Sequence, residues 1–333
     1  MEDNTINIIR ESTRNLIKLN RQIHKNEESD LRRCLQEKRI SSENISDIAN
    51  RLKTKTAISE KDLQNLKNGL MEDSQYIEIV FNVHGALRGL VRELTGHNIK
   101  NQVAAAGCCC NLALGDVKAC TALAKAAGSY LVAALDNFTT ELAVTCAWTI
   151  GNLAGSGDKV CDILVSQGAV SKLSDFHNNE DLQDAALYAL VHFAYQMKDN
   201  LRQDHLNKMI RTLTKLDIST ASLQLLFILS CHNNFKENIN EDILKIILDY
   251  LPTAIKSTDI QQPNNKLLYI IRILANMDGF YNIILKCIDI NNLYEEIKVL
   301  KNCNNSVSES LLWLLGNLLN FCDDKELLFK LYS

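Results

Sequence analysis

From about Met71 onward, apolar residues recur at three- and four-residue spacing with almost no strand-like alternation. That pattern predicts one amphipathic or buried helix after another. Small polar clusters mark the helix ends: Gly155-Ser156-Gly157-Asp158, His177-Asn178-Asn179 and His232-Asn233-Asn234. Residues 1–71 read differently, as a polar and charged stretch. Within it, Ser42 and Glu43 precede Ile45, Ile48, Ala49 and Leu52, and Ser59 with Asp62 precedes Leu63, Leu66 and Leu70. Both are helix starts. Glu27–Ile40 is charged enough to make only a solvated helix.

The helical runs are self-similar. Glu141–Ala154 (ELAVTCAWTIGNLA) overlays Asp181–Ala194 (DLQDAALYALVHFA), with Trp148 on Tyr188 and Asn152 on His192. Gln102–Gly115 puts Gly107 and Asn111 at those places, Ser222–Asn233 puts Phe227 and Cys231, Lys266–Asn276 puts Tyr269 and Ile273, and Glu309–Asn320 puts Trp313 and Asn317. The second position of each pair falls at 111, 152, 192, 231, 273 and 317, spacings of 41, 40, 39, 42 and 44 residues. That is the period of armadillo or HEAT arrays. One such unit cannot bury its apolar face alone, so neighbours must stack. A short helix over Val160–Gln167, a turn at Gly168-Ala169-Val170 and a further helix fit the gap after Asn152, which favours three-helix, armadillo-type repeats. The expectation is an all-α, right-handed helical solenoid of about six repeats over 72–333, behind a helical or disordered segment over 1–71.

Composition agrees with this. Gly 13 and Pro 2 fall well short of the roughly 23 and 17 that average usage would give, and a turn-rich sheet protein needs them. The net charge of −4 argues against nucleic acid as the main partner. The charge is split: residues 1–71 hold 14 Lys/Arg against 11 Asp/Glu, and the rest holds 22 against 29. The longest uncharged stretches, Leu142–Gly157 and Ser310–Cys322, are shorter than a membrane span and carry polar residues, so no transmembrane span is expected. Eleven cysteines with no apolar leader over Met1–Arg10 read as reduced thiols of the cytosol or nucleus. Cys108, Cys109 and Cys110 are about 100° apart on a helix, so they read as packing residues, not a metal site.

No phosphate loop, H-E-x-x-H, nucleophile elbow or paired acid–base carboxylates occur, and the seven histidines have no ligand spacing. The chain therefore reads as non-enzymatic, with no cofactor and no metal.

The segment Glu141–Phe176 resembles an armadillo repeat of importin alpha, the nuclear-import adaptor. Trp148, Gly151, Asn152, Leu153, Ala154, Gly155 and Gly157 match that family's helix end, and Gly168-Ala169-Val170 match its turn. Trp313, Gly316 and Asn317 repeat the core of the pattern. The resemblance implies an adaptor, cytoplasmic and nuclear, that holds nuclear localisation signals of basic cargo in a concave groove. Asn111, Trp148, Asn152, Tyr188, His192, Trp313 and Asn317 would be the peptide-binding positions. There a carboxamide can grip a peptide backbone, and an indole face can carry a Lys or Arg, a gain of roughly 0.5–2 kcal/mol. It also implies that Arg32, Arg33, Lys38 and Arg39 bind a karyopherin-beta carrier. The same residues admit a second reading: the tryptophans are packing aromatics, the asparagines tie repeats together, and the array is an interaction scaffold that has lost signal binding, at a membrane surface for example.

Overall fold

The computed structural model describes residues 40–54, 57–176, 180–239, 241–256, 265–287 and 305–321. Arg32, Arg33, Lys38 and Arg39 lie outside the described residues. Among the described residues all regular structure is helical. The chain divides into two compact units, Met1–Ala127 and Gly128–Ser333.

The first unit holds α1 (Ser42–Thr54), α2 (Glu60–Glu72), α3 (Gln75–Asn82), α4 (Ala86–Leu94), α5 (Ile99–Leu112) and the start of α6 (Val117–Ala134). α1 buries Ile45, Ile48, Ala49 and Leu52, and α2 buries Leu63, Leu66 and Leu70. Ser59 and Asp62 close a capping box at the start of α2: Ser59 Oγ accepts from the Asp62 amide at 3.2 Å, and the Asp62 carboxylate accepts from the Ser59 amide at 2.9 Å. Arg51 grips the same carboxylate through two hydrogen bonds of 3.0 Å. Partial burial works to raise the Asp62 pKa, but the bonds from Arg51 and Ser59 outweigh it and hold the group below its ordinary value.

α1 packs on α4, and α2 packs on α5. The helices over 42–72, which the sequence groups with the charged N-terminal stretch, are therefore part of a packed helical layer. Their apolar stripes have a partner, and α2 stands to α5 as one repeat to the next. Cys108 donates its S–H to the Leu63 carbonyl, and Asn111 donates to the Lys67 carbonyl at 2.7 Å, 44 residues earlier in the chain. Cys108 and Cys109 are buried packing residues. Burial pushes the Cys108 thiol up to about 12.

The second unit continues with α7 (Thr140–Ala154), α8 (Asp158–Ser166), α9 (Ala169–Leu173), α10 (Glu180–Met197), α11 (Gln203–Leu213), α12 (Thr220–Ser230), α13 (Glu241–Lys256), α14 (Asn265–Asn276), α15 (Tyr281–Cys287) and α16 (Asn305–Phe321). Five of these stack in sequence, α7 on α10, α10 on α12, α12 on α14 and α14 on α16. This is the layer the repeat period predicts.

The three-helix repeat is complete after α7, where α8, a turn at Gly168 (φ +85°) and α9 lead into α10. Only glycine takes that backbone cheaply. In the next two repeats the first helix shrinks to a single 3₁₀ turn, Lys198–Asn200 before α11 and Phe235–Glu237 before α13. The repeats around Phe227 and Tyr269 thus differ from the α8–α10 repeat by one shortened helix. Among the described residues no single helix is long and apolar enough to cross a membrane.

Candidate functional site

The positions aligned by the repeat all lie on long helices, α5 in the first unit and α7, α10, α12, α14 and α16 in the second, but their side chains are treated differently. Trp148 on α7 and Tyr188 on α10 are half-buried, and their rings meet at 4.7 Å between centroids, tilted by 50°. His192, one turn on from Tyr188 and 3% exposed, meets the Tyr188 ring edge-on at 4.6 Å. The Tyr188 hydroxyl donates to Asn152 Oδ1 at 2.9 Å, and Asn152 is 8% exposed. One compact cluster therefore unites Trp148, Asn152, Tyr188 and His192.

Gly151 makes the cluster possible. A Cβ there would fall 2.5 Å from Tyr188 Cδ1 and 3.2 Å from the Ala189 Cα. Any larger residue at 151 pushes the Tyr188 ring off the α7 surface. The composite motif around Trp148 is thus a device for seating an aromatic of the next repeat.

Carboxylates flank the pair. Asp184 lies four residues and Asp181 seven before Tyr188, and Glu141 lies seven before Trp148; all three are exposed. Those intervals place each acid on the same helix face as its aromatic. Glu309, also exposed, stands four residues before the half-buried Trp313 on α16. A polarisable aromatic surface with carboxylates beside it suits a cation.

The next two positions are closed. Phe227 on α12 and Tyr269 on α14 are 1% and 0% exposed, stacked at 5.9 Å with ring planes 23° apart. The Arg272 guanidinium lies 5.5 Å from the Phe227 centroid. It is 3% exposed and donates from Nε to Ser310 Oγ on α16 at 3.0 Å. Burial pulls the Arg272 pKa down, with Tyr269, Cys231 and Glu309 pulling the other way. Burial likewise raises the Tyr269 hydroxyl, opposed by Arg272. The Tyr269 hydroxyl is itself buried, with no hydrogen-bond partner among the described residues.

The carboxamides have a common task. Asn111 of α5 donates to the Lys67 carbonyl of α2, and Asn317 of α16 donates to the Ala275 carbonyl of α14 at 2.9 Å. Gln196 of α10 reaches Gly155 O, just past α7, at 3.2 Å, and Asn276 of α14 reaches Ser230 Oγ of α12 at 2.7 Å. In each case an amide of one helix ties it to the helix before; Gly155 and Ala275 offer carbonyls at helix C-terminal ends, which lack helical partners, while Lys67 lies within α2 and Ser230 offers its hydroxyl. Gln196 and Asn276 were not singled out from the sequence, because each stands three or four residues beyond the aligned place. The signal was there: a carboxamide in the last turn before a polar cluster.

At the remaining aligned place, Gly107 of α5 has no ring. The aliphatic stem of Lys67 from α2 lies over it, with Cδ 2.4 Å from where a Cβ would be. Among the described residues no group of His, Cys, Asp and Glu is arranged to hold a metal ion.

Stacked all-α repeats of this period, with the aligned side chains on successive long helices, define an armadillo-type solenoid. No protein-family model and no curated protein matches the chain. Solved structures do match. An engineered protein superposes with a TM-score of 0.66 at 20% identity, over 82% of this chain and 68% of its own. A designed armadillo-repeat protein in complex with the peptide (KR)4 superposes at 0.58 and 19% identity, over 70% of this chain and 99% of its own. Computationally designed armadillo-repeat proteins for modular peptide recognition give 0.58 at 20% identity, with the same coverage. At these identities the likeness establishes the armadillo-repeat fold.

Proposed function

We propose that this chain is a non-enzymatic armadillo scaffold that holds an extended basic segment of a partner protein on α7 and α10. The observation that carries the reading is the half-exposed Trp148–Tyr188 pair with Glu141, Asp181 and Asp184 on the same helix faces. A Lys or Arg stem laid on these rings gains dispersion and cation–π attraction, and the carboxylates stabilise its head. Asn152, buried and bonded to Tyr188, serves to position that ring. The solved complex of a fold neighbour with (KR)4 supports the choice of ligand. The importin-alpha resemblance extends the reading to nuclear localisation signals and, through Arg32, Arg33, Lys38 and Arg39, to a karyopherin-beta carrier.

A second reading, a scaffold that has lost signal binding, draws on the closed state of Phe227 and Tyr269 and on the structural use of the carboxamides. Fluorescence anisotropy with a labelled KRKR peptide separates the two. Under the first reading the full chain binds, the Trp148→Ala/Tyr188→Ala variant binds at least ten-fold more weakly, and binding weakens with salt. Equal binding by both proteins, or none by either, leaves the scaffold reading.

A further inference from the structure

Past α10 the aromatic row continues in sequence but not in accessible surface. Phe227 occupies the α12 position that Trp148 and Tyr188 occupy on α7 and α10. A cation already lies on it: the Arg272 guanidinium, reaching back from α14, 5.5 Å from the ring centroid. The other ring in contact with Phe227 is Tyr269. Among the described residues, Ser310 is the hydrogen-bond partner of Arg272, and Glu309 acts on it through its charge without forming an ion pair. Its positive charge is therefore retained next to the row.

Resting on the basic-segment reading above, we propose that Arg272 is a specificity-determining residue that ends the cation-reading row after α10. It fills from within the slot a ligand Lys or Arg would take on Phe227, and its charge repels a basic side chain arriving there. The ligand class is thereby narrowed to a short basic cluster followed by neutral or acidic residues, as opposed to a long basic run. Packed helices lie about 8–10 Å apart and an extended chain advances about 3.3 Å per residue. The step from Trp148 to Tyr188 thus spans about three ligand residues.

The contrast with α7 shows why this depends on one position. Three residues after Tyr188, at the place of Arg272, stands Val191, which brings no cation to Trp148, whereas Arg272 lays its guanidinium on Phe227 of the previous repeat.

Anisotropy titrations of labelled KRKR and (KR)4 against the full chain test this. Wild type should bind the two within about five-fold, the margin expected from extra registers of the longer peptide. Arg272→Ala, which uncovers Phe227 and removes the charge, should bind (KR)4 at least ten-fold tighter than KRKR. Arg272→Met, which keeps an apolar stem over the ring and still removes the charge, should bind (KR)4 about three-fold tighter than wild type does, with KRKR binding unchanged, and serves if the alanine variant does not fold. The proposal is overturned if wild type already gains ten-fold from KRKR to (KR)4, or if no folded variant gains. A wild type that does not bind KRKR at all, or binds it independently of Trp148 and Tyr188, overturns the basic-segment reading itself, and this inference with it.

Discussion

The α7–α10 pair and the α12–α14 pair are built from the same aligned positions and come to opposite ends. In the first, Trp148 and Tyr188 touch, stay half-exposed, and share their helix faces with exposed carboxylates. In the second, Phe227 and Tyr269 stack, disappear from solvent, and carry an internal guanidinium. An aromatic at a repeat's signature position is therefore not in itself a binding residue. What differs is the residue three on from the second ring of each pair, Val191 on α10 and Arg272 on α14, and only the arginine lies on the ring of the preceding repeat.

The comparison breaks most sharply on stability. Truncating Phe227 or Tyr269 to alanine should cost about 3–5 kcal/mol in urea denaturation, as for a fully buried aromatic. Trp148→Ala should cost about half as much or less, because part of its surface is already in water. Equal losses at both places would mean that the α7 row is core like the α12 row.

Glycine substitutions sharpen it further. Gly151→Ala places a methyl 2.5 Å from the Tyr188 ring and should destabilise by about 1–3 kcal/mol while weakening KRKR binding. Gly316→Ala on α16 meets nothing within 4 Å and should stabilise by about 0.5–1 kcal/mol through helix propensity. Thermal melts of the two variants should move in opposite directions.

The smallest effect concerns the Tyr269 hydroxyl, buried without a hydrogen-bond partner among the described residues. Tyr269→Phe should be neutral to about 1–2 kcal/mol more stable at pH 7, since an unsatisfied polar atom is removed. The pH dependence follows from the raised pKa. Above about pH 10 the unfolded chain ionises this tyrosine while the folded state keeps it neutral, so stability falls as pH rises. Denaturation midpoints measured from pH 9 to 11 should fall less steeply in Tyr269→Phe than in wild type.

The layer of long helices was legible in the sequence, because each must bury an apolar face against its neighbours and so repeats the same residues at the same interval. The alignment set Trp148 and Asn152 at the same repeat places as Tyr188 and His192; that the four meet in one cluster is visible only in the structure. Three further things were not legible. The role of α2 as a repeat helix was masked by charged residues on its solvent side, although Leu63, Leu66 and Leu70 had the right spacing. The loss of the first helix after α10 and α12 depends on loop geometry that periodicity does not encode. The inward course of Arg272 was hidden because an arginine in a helical run reads as surface. Only the stacked neighbours show that its stem is enclosed and its head lies on Phe227. The carboxamides hold a middle place: the tie between repeats was one of two readings open for them, and it describes Asn111 and Asn317 in the structure.

The central claim is that a cationic side chain lies on Trp148 when ligand binds. The chain has two tryptophans, so Trp313→Phe leaves Trp148 as the sole indole reporter. Titrating KRKR into that variant should change the Trp148 emission saturably, with the change lost at high salt. Binding seen by anisotropy with the Trp148 emission unmoved would contradict the account.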